Sequence, residues 1–155
     1  MNSGNSFSGN FIELNVQNKF RHTCDIIENF YEKNVPTTVY VNDTKNANNL
    51  DRQLWVWKQE SFLPHIILNN YTDSPEESIL ITTNDSFPAV TDALILFDPY
   101  YSETFKQFKY VIDFAEVYHP EKLKLSRERY KKLKTLGQYD LEFHKLGAFL
   151  KNFPM

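Results

Sequence analysis

The chain has 155 residues, 41% of them hydrophobic and 15% aromatic, with a formal net charge of -3. That balance predicts one domain, residues 1–155, with a real core, and argues against a protein that coats DNA by charge. A single cysteine, Cys24, excludes an internal disulfide. With no secretory leader and no apolar run near the roughly 20 residues of a membrane span, a reducing cytoplasm and no membrane contact are expected.

Met1 to Asn10 is mostly Asn, Ser and Gly, too poor in apolar content to pack, so a disordered start is expected, with order from Phe11. Phe11 to Val16 alternates apolar and polar residues, a strand period, and Asn18 stands where a helix N-cap belongs. Phe20, Cys24, Ile27 and Tyr31 then recur on one helical face, which Asn34 and Pro36 end. Thr37 to Val41 is β-branched and aromatic, a second strand expected to close a right-handed βαβ unit as the first strand's parallel partner. A short helix is predicted over Ala47 to Trp55, with Leu50 and Leu54 sharing its buried face.

Ile66 to Leu68 reads as a strand and Asn69 to Pro75 as a turn-rich loop. Ser78 to Thr83 and Ala93 to Phe97 are continuous apolar runs, which suit strands buried on both faces, with Asn84 to Thr91 as loop between them. Tyr110 to Ala115 reads either as the end of a helix from Ser102 or as a strand; β-branched Val111 and Ile112 favour the strand. Pro120 and Gly137 bracket a last long helix, with Glu121 suited to its N-terminal dipole. Tyr139 to Leu146 is expected to pack back on the sheet, and Lys151 to Met155 to be loose. The sum is an α/β fold, a mainly parallel, mixed sheet with helices on both faces.

Such a fold raises the question of a nucleotide. A phosphate cradle after the first strand needs glycines, so that the backbone can approach the pyrophosphate. The turn here is Asn15-Val16-Gln17-Asn18, and the four glycines fall at positions 4, 9, 137 and 147. Neither a Walker sequence nor Gly-x-Gly-x-x-Gly is present. The expected topology is Rossmann-like without a phosphate-binding glycine loop, and no cofactor is expected. His22, His65, His119 and His144 are scattered, so no metal site is expected; His65 reads as structural, holding the turn after Pro64, and Cys24 as an inert buried thiol.

Two stretches stand out. Trp55, Trp57 and Phe62 crowd beside Pro64; each is either core or surface, and at least one is expected at the surface, where large aromatics anchor partners. On the last helix, Lys122 to Lys134 holds seven basic residues against one acid, Glu128. Lys124, Arg127, Lys131 and Lys134 form one stripe with Tyr130 beside it, while Leu123, Leu133 and Leu136 can face the core. A charge run is usually a solvated face. DNA binding would prefer a broader basic footprint and a membrane surface an apolar face, whereas an acidic peptide needs a few cations beside an apolar notch.

The same stretches carry a resemblance. Leu50-Asp51-Arg52-Gln53-Leu54-Trp55, then Glu60-Ser61-Phe62-Leu63-Pro64-His65, then Arg127-Glu128-Arg129-Tyr130-Lys131 with Gly137 and Tyr139-Asp140-Leu141-Glu142, resemble the chi subunit of bacterial DNA polymerase III, a clamp-loader accessory protein. The resemblance implies a non-catalytic replisome adaptor that meets DNA indirectly. It implies docking of the psi subunit, or an equivalent or competing partner, on Trp55, Phe62 and Pro64, while Trp57 inherits no role. It further implies that Arg127, Tyr130 and Lys131 bind the acidic C-terminal tail of the single-stranded-DNA-binding protein, which ends in Pro-Phe. Lys134 extends that set on geometry alone. A basic residue expected one turn earlier falls on Leu123, and an apolar contact after the preceding strand falls on Ala115 or Val117. The alternatives are a small Rossmann-like nucleotide-dependent enzyme and a direct nucleic-acid binder through the last helix.

Overall fold

A computed structural model describes residues 7–15, 17–57, 62–68, 77–84, 87, 90–102 and 108–152. In chain order they form β1 (Ser8–Leu14), α1 (Lys19–Glu32), β2 (Thr37–Tyr40), α2 (Thr44–Trp55), β3 (His65–Ile67) and β4 (Ile79–Thr82). There follow β5 (Ala93–Leu96), β6 (Tyr110–Glu116), α3 (Pro120–Leu136), β7 (Asp140–Lys145) and α4 (Leu146–Asn152). The expected loop Asn69 to Pro75, and parts of the expected loop Asn84 to Thr91, lie outside the described residues, as do Met1 to Ser6 and the last three residues.

The strands make one sheet in the order β3-β4-β2-β5-β6-β1-β7, and every pairing among the described residues is parallel. The sheet is therefore more uniform than the mixed one expected. Each of the apolar runs at β4 and β5 is buried throughout, as strands covered on both faces must be. The two faces carry separate cores. Ile12, Leu14, Val39, Ile81, Ile95 and Phe114 pack under α1, α2 and α4, with Cys24, Ile27, Phe30, Leu50, Leu54 and Phe149. On the other face Phe11, Leu94, Leu96, Phe108 and Val111 pack with Leu133 of α3 and Tyr139.

Several expectations are corrected. The first strand starts at Ser8 rather than Phe11, because its polar residues find partners from the far end of the chain. Asn10 is buried, with Oδ1 2.9 Å from His144 Nε2, and Gly9 leaves room for Leu141, which a Cβ at position 9 would approach to 2.6 Å. β1 and β2 are parallel but not neighbours, since β5 and β6 enter between them. Succession in the chain biases adjacency without fixing it, and the fully apolar β5 takes the sheet centre. α2 begins at Thr44, ahead of Ala47, because the Asp43 carboxylate accepts from Asn46 N at 2.8 Å and caps it there. Lys151 and Asn152, expected to be loose, complete α4.

Other expectations match. Tyr110 to Glu116 is a strand, not a helix end. Cys24 and Ile27 lie on the buried face of α1, with Phe20 and Tyr31 half-buried at its margins. Asn18 stands at the N-cap of α1, but its side chain makes no capping bond. After α1 the chain reverses at Asn34 with φ 60, a left-handed conformation that asparagine tolerates better than most residues.

Candidate functional site

α3 is set by local chemistry at both ends. His119 Nδ1 accepts from Lys122 N at 3.2 Å, Pro120 occupies the first turn and Glu121 faces the positive end of the helix dipole. Gly137 closes the other end at φ 69, where a side chain would be strained. An ion pair between Arg129 of the Arg-Glu-Arg-Tyr-Lys motif and Asp113 of β6 ties the helix to the sheet. Arg129 Nε and Nη2 donate to Asp113 Oδ2 and Oδ1 at 2.7 and 2.9 Å, and both side chains are nearly buried. Asp113 Oδ1 also accepts from Phe114 N at 2.6 Å.

With α3 anchored over β6, a groove of about 290 Å3 opens beside it over β1. Phe11 and Glu13 of β1, Ala115 of β6 and Val117 behind it form one part; Leu123, Ser126, Arg127 and Tyr130 of α3 and Phe143 of β7 form the rest. Ala115 and Val117, alternatives in the sequence, both line it. Leu123, standing where a basic residue was expected, makes its mouth apolar. The Phe11 and Tyr130 rings meet edge-on at 5.2 Å. The groove lies toward the carboxyl ends of β1 and β6, where open α/β sheets place ligands.

The predicted tail-binding residues divide. Arg127 and Tyr130 line this groove, but Lys131 lines a second one across the helix, with Tyr101, Lys132, Thr135 and Leu136. There Lys132 Nζ stands 5.2 Å from the Tyr101 ring centroid. Lys124 and Lys134 are exposed and line neither groove. Sequence reasoning missed Phe11, Glu13, Phe143 and the Asp113–Arg129 pair. The signal for the pair was a carboxylate within the apolar run of β6, since a buried charge requires a partner. Phe143 offered only the weak alternation of a short strand.

The aromatic stretch divides as well. Trp55 and Phe62 are 60% and 67% exposed, their ring centroids 5.9 Å apart, with exposed Val56 beside them in sequence. Pro64 is half-buried. Trp57 instead packs on the core and donates Nε1–H to Glu28 Oε1 at 3.4 Å. Beneath Trp55, at 5.0 Å between rings, His65 is held by Leu63 O at 2.6 Å from Nδ1, and Asp51 Oδ1 lies 3.1 Å from its Nε2. His65 thus fixes the turn after Pro64, as expected. Residues 58–61 of this motif lie outside the described set.

At the carboxyl ends of β1 and β6 stands Glu116, buried, with Lys19 Nζ at 2.9 Å, Lys122 Nζ at 3.4 Å and the Tyr118 hydroxyl donating at 2.6 Å. Burial pushes its carboxyl up, yet the Tyr118 hydroxyl and the two lysines outweigh burial and hold it below the usual carboxylate range. The described residues contain no cluster of His, Cys, Asp and Glu able to hold a metal, and no described helix is long and apolar enough to cross a membrane.

No curated protein matches the chain in sequence. Among solved structures, it is similar to the C-terminal domain of S. cerevisiae Dbp5 bound to Gle1 and IP6, with a TM-score of 0.58 at 13% identity, covering 93% of this chain and 95% of that one. It is also similar to S. cerevisiae Dbp5 bound to RNA and ADP BeF3, with a TM-score of 0.66 at 13% identity over 96% of this chain and 45% of that one. At that identity the likeness is one of fold. The family described as DNA polymerase III chi subunit, HolC, matches residues 8–140, from the start of β1 to the first residue of β7. With that span and the sequence motifs seated on α2 and α3, the chain belongs to the DNA polymerase III chi subunit family.

Proposed function

We propose that this chain is a non-catalytic adaptor of the replicase, joining the clamp loader to the acidic C-terminal tail of the single-stranded-DNA-binding protein. The observation that carries the reading is Arg127 beside an apolar groove, with the exposed cations Lys124, Lys131 and Lys134 along the same helix. A planar guanidinium offers paired N–H donors to a carboxylate. Tyr130, Phe11 and Leu123 supply the surface for an apolar end, and the cations outside the groove attract the acidic residues before it. Exposed ion pairs contribute about 0–1 kcal/mol each, so one tail binds weakly and loses affinity as salt rises. Several tails on one DNA-bound assembly raise the effective concentration without new contacts, which suits a tether.

Trp55, Phe62 and Pro64 form the second surface, for the psi subunit or an equivalent partner; two exposed aromatics in contact have the make-up of an interface anchor. DNA is reached through the partners, and the cytoplasm is the site of action. The deciding experiment is fluorescence anisotropy of a labelled peptide copying the tail, titrated at low and moderate salt. Saturable, salt-sensitive binding, weakened several-fold by Arg127→Ala in a protein that stays folded, is the expected result. Unchanged affinity for Arg127→Ala would sink the assignment. For the aromatic surface, a pull-down in which folded Trp55→Ala and Phe62→Ala proteins both keep every replicase partner would remove it.

A further inference from the structure

The groove beside α3 has a wall beyond the family-matched residues. The match ends at Asp140, and Phe143 lies three positions later on β7. β7 runs parallel to β1 with Phe143 paired to Phe11, so neighbouring side chains in this row stand on the same face, the one that α3 covers. Leu141, two residues earlier, packs into that same core against the space left by Gly9. β7 is thereby seated on β1, and Phe143 is carried on a strand, not on a loop.

Yet Phe143 is 54% exposed. A large apolar ring left half in water at the lip of a cleft is a contact surface more than a core element. Three rings, Phe11, Tyr130 and Phe143, line the groove together with Leu123 and Val117. Such a set favours a planar ring, which can meet its neighbours edge-on or offset, over a small or polar side chain. Charge then fixes direction. Glu13 repels a carboxylate from its side of the groove, while Arg127 attracts one.

We propose that Phe143 is a specificity-determining residue of this groove: it closes the side away from α3 and selects an aromatic residue at the end of an acidic peptide whose carboxylate lies at Arg127. The inference rests on the groove being the peptide site proposed above. Without β7 the cleft between α3 and β1 would be open on that side, holding charge well and shape poorly.

The test uses two labelled acidic peptides in fluorescence anisotropy at fixed salt, one ending in Pro-Phe and one in Pro-Ala. They are titrated against the full chain, Phe143→Ala, Phe143→Tyr and Arg127→Ala, each checked by thermal melting. Phe143→Ala is expected to weaken the Pro-Phe peptide about tenfold and the Pro-Ala peptide less than about twofold, so that the preference collapses. Phe143→Tyr keeps the ring and retains the preference. Arg127→Ala weakens both peptides and flattens the salt dependence, which Phe143→Ala leaves unchanged. An undiminished preference in Phe143→Ala, alongside the Arg127→Ala loss, overturns the role of Phe143 and leaves the peptide site standing. Failure of the full chain to bind either peptide, or indifference to Arg127→Ala, overturns the peptide site and this inference with it.

Discussion

Arg129→Met tests what positions the groove. The substitution keeps most of the aliphatic stem but removes both N–H donors from Asp113, leaving a 5%-exposed carboxylate with the Phe114 amide on Oδ1 and no guanidinium on either oxygen. Removing one partner of a buried pair costs about 3–5 kcal/mol, because an uncompensated charge stays behind. Against a total stability of about 5–15 kcal/mol that is a large fraction. At about 2–4 °C per kcal/mol for a chain of this size, the melting temperature should fall by about 6–20 °C. Urea unfolding followed by tryptophan fluorescence gives the free energy, since Trp57 packs on the core. The double variant Asp113→Leu/Arg129→Met removes both charges and should recover at least ~2 kcal/mol relative to the sum of the single changes. Additive singles, or an Arg129→Met cost below about 1 kcal/mol, would refute the reasoning that this pair seats α3.

Glu116 contributes to acid sensitivity. Its folded carboxyl sits below the ordinary range, so it stabilises the fold above about pH 4.5 and that contribution is lost as pH falls through the folded value; Glu116→Gln should show a smaller loss of urea midpoint between pH 7 and pH 3.5 than the parent chain, and an equal loss would contradict this. Burial first, then Asp25 and Glu28, push the Cys24 thiol up to about 12, so a thiol reagent at pH 8 should label it only on unfolding; prompt labelling of native protein would show otherwise. Gly9→Ala places a methyl 2.6 Å from Leu141 Cδ2, and because the far end of Leu141 can turn away the cost should be about 1 kcal/mol. Hydrogen exchange should quicken on β7 and hold steady on β5, whereas a uniform change would mean that Gly9 does not govern the seating of β7.

Local punctuation made α3 legible. Pro120, Glu121 and Gly137 act within a turn of where they sit, and both ends of the helix follow from them. β4 and β5 were legible for a similar reason, since a continuous apolar run needs no knowledge of its neighbours to demand burial. Ser8 to Asn10 was not, because Asn10 meets His144 and Gly9 makes room for Leu141, each more than 130 positions away. Strand order was hidden likewise, since periodicity says that a strand is half or fully buried but not beside which strand. The stripe Arg127, Lys131 and Lys134 was correct as a helical face, yet Arg127 and Lys131 part into different grooves. What decides that is not the helix but its flanks, β1 with β7 on one side and Tyr101 on the other.

The fold also separates the two surfaces that an adaptor would use. Trp55 and Phe62 stand beside His65, the first residue of β3, at one end of the strand order; the Arg127 groove lies over β1, five strand spacings away. At about 4.8 Å per spacing that is ~24 Å across the sheet. The surfaces also belong to opposite faces, since α2 packs in one core and α3 in the other. Exposed charges that far apart are screened at physiological salt, where the Debye length is about 8 Å. On the function proposed above, the two partners would meet the chain on opposite faces, and exposed charges at one surface would act only weakly at the other. A tether requires that independence: if filling the groove released the aromatic surface, the link would break whenever it formed.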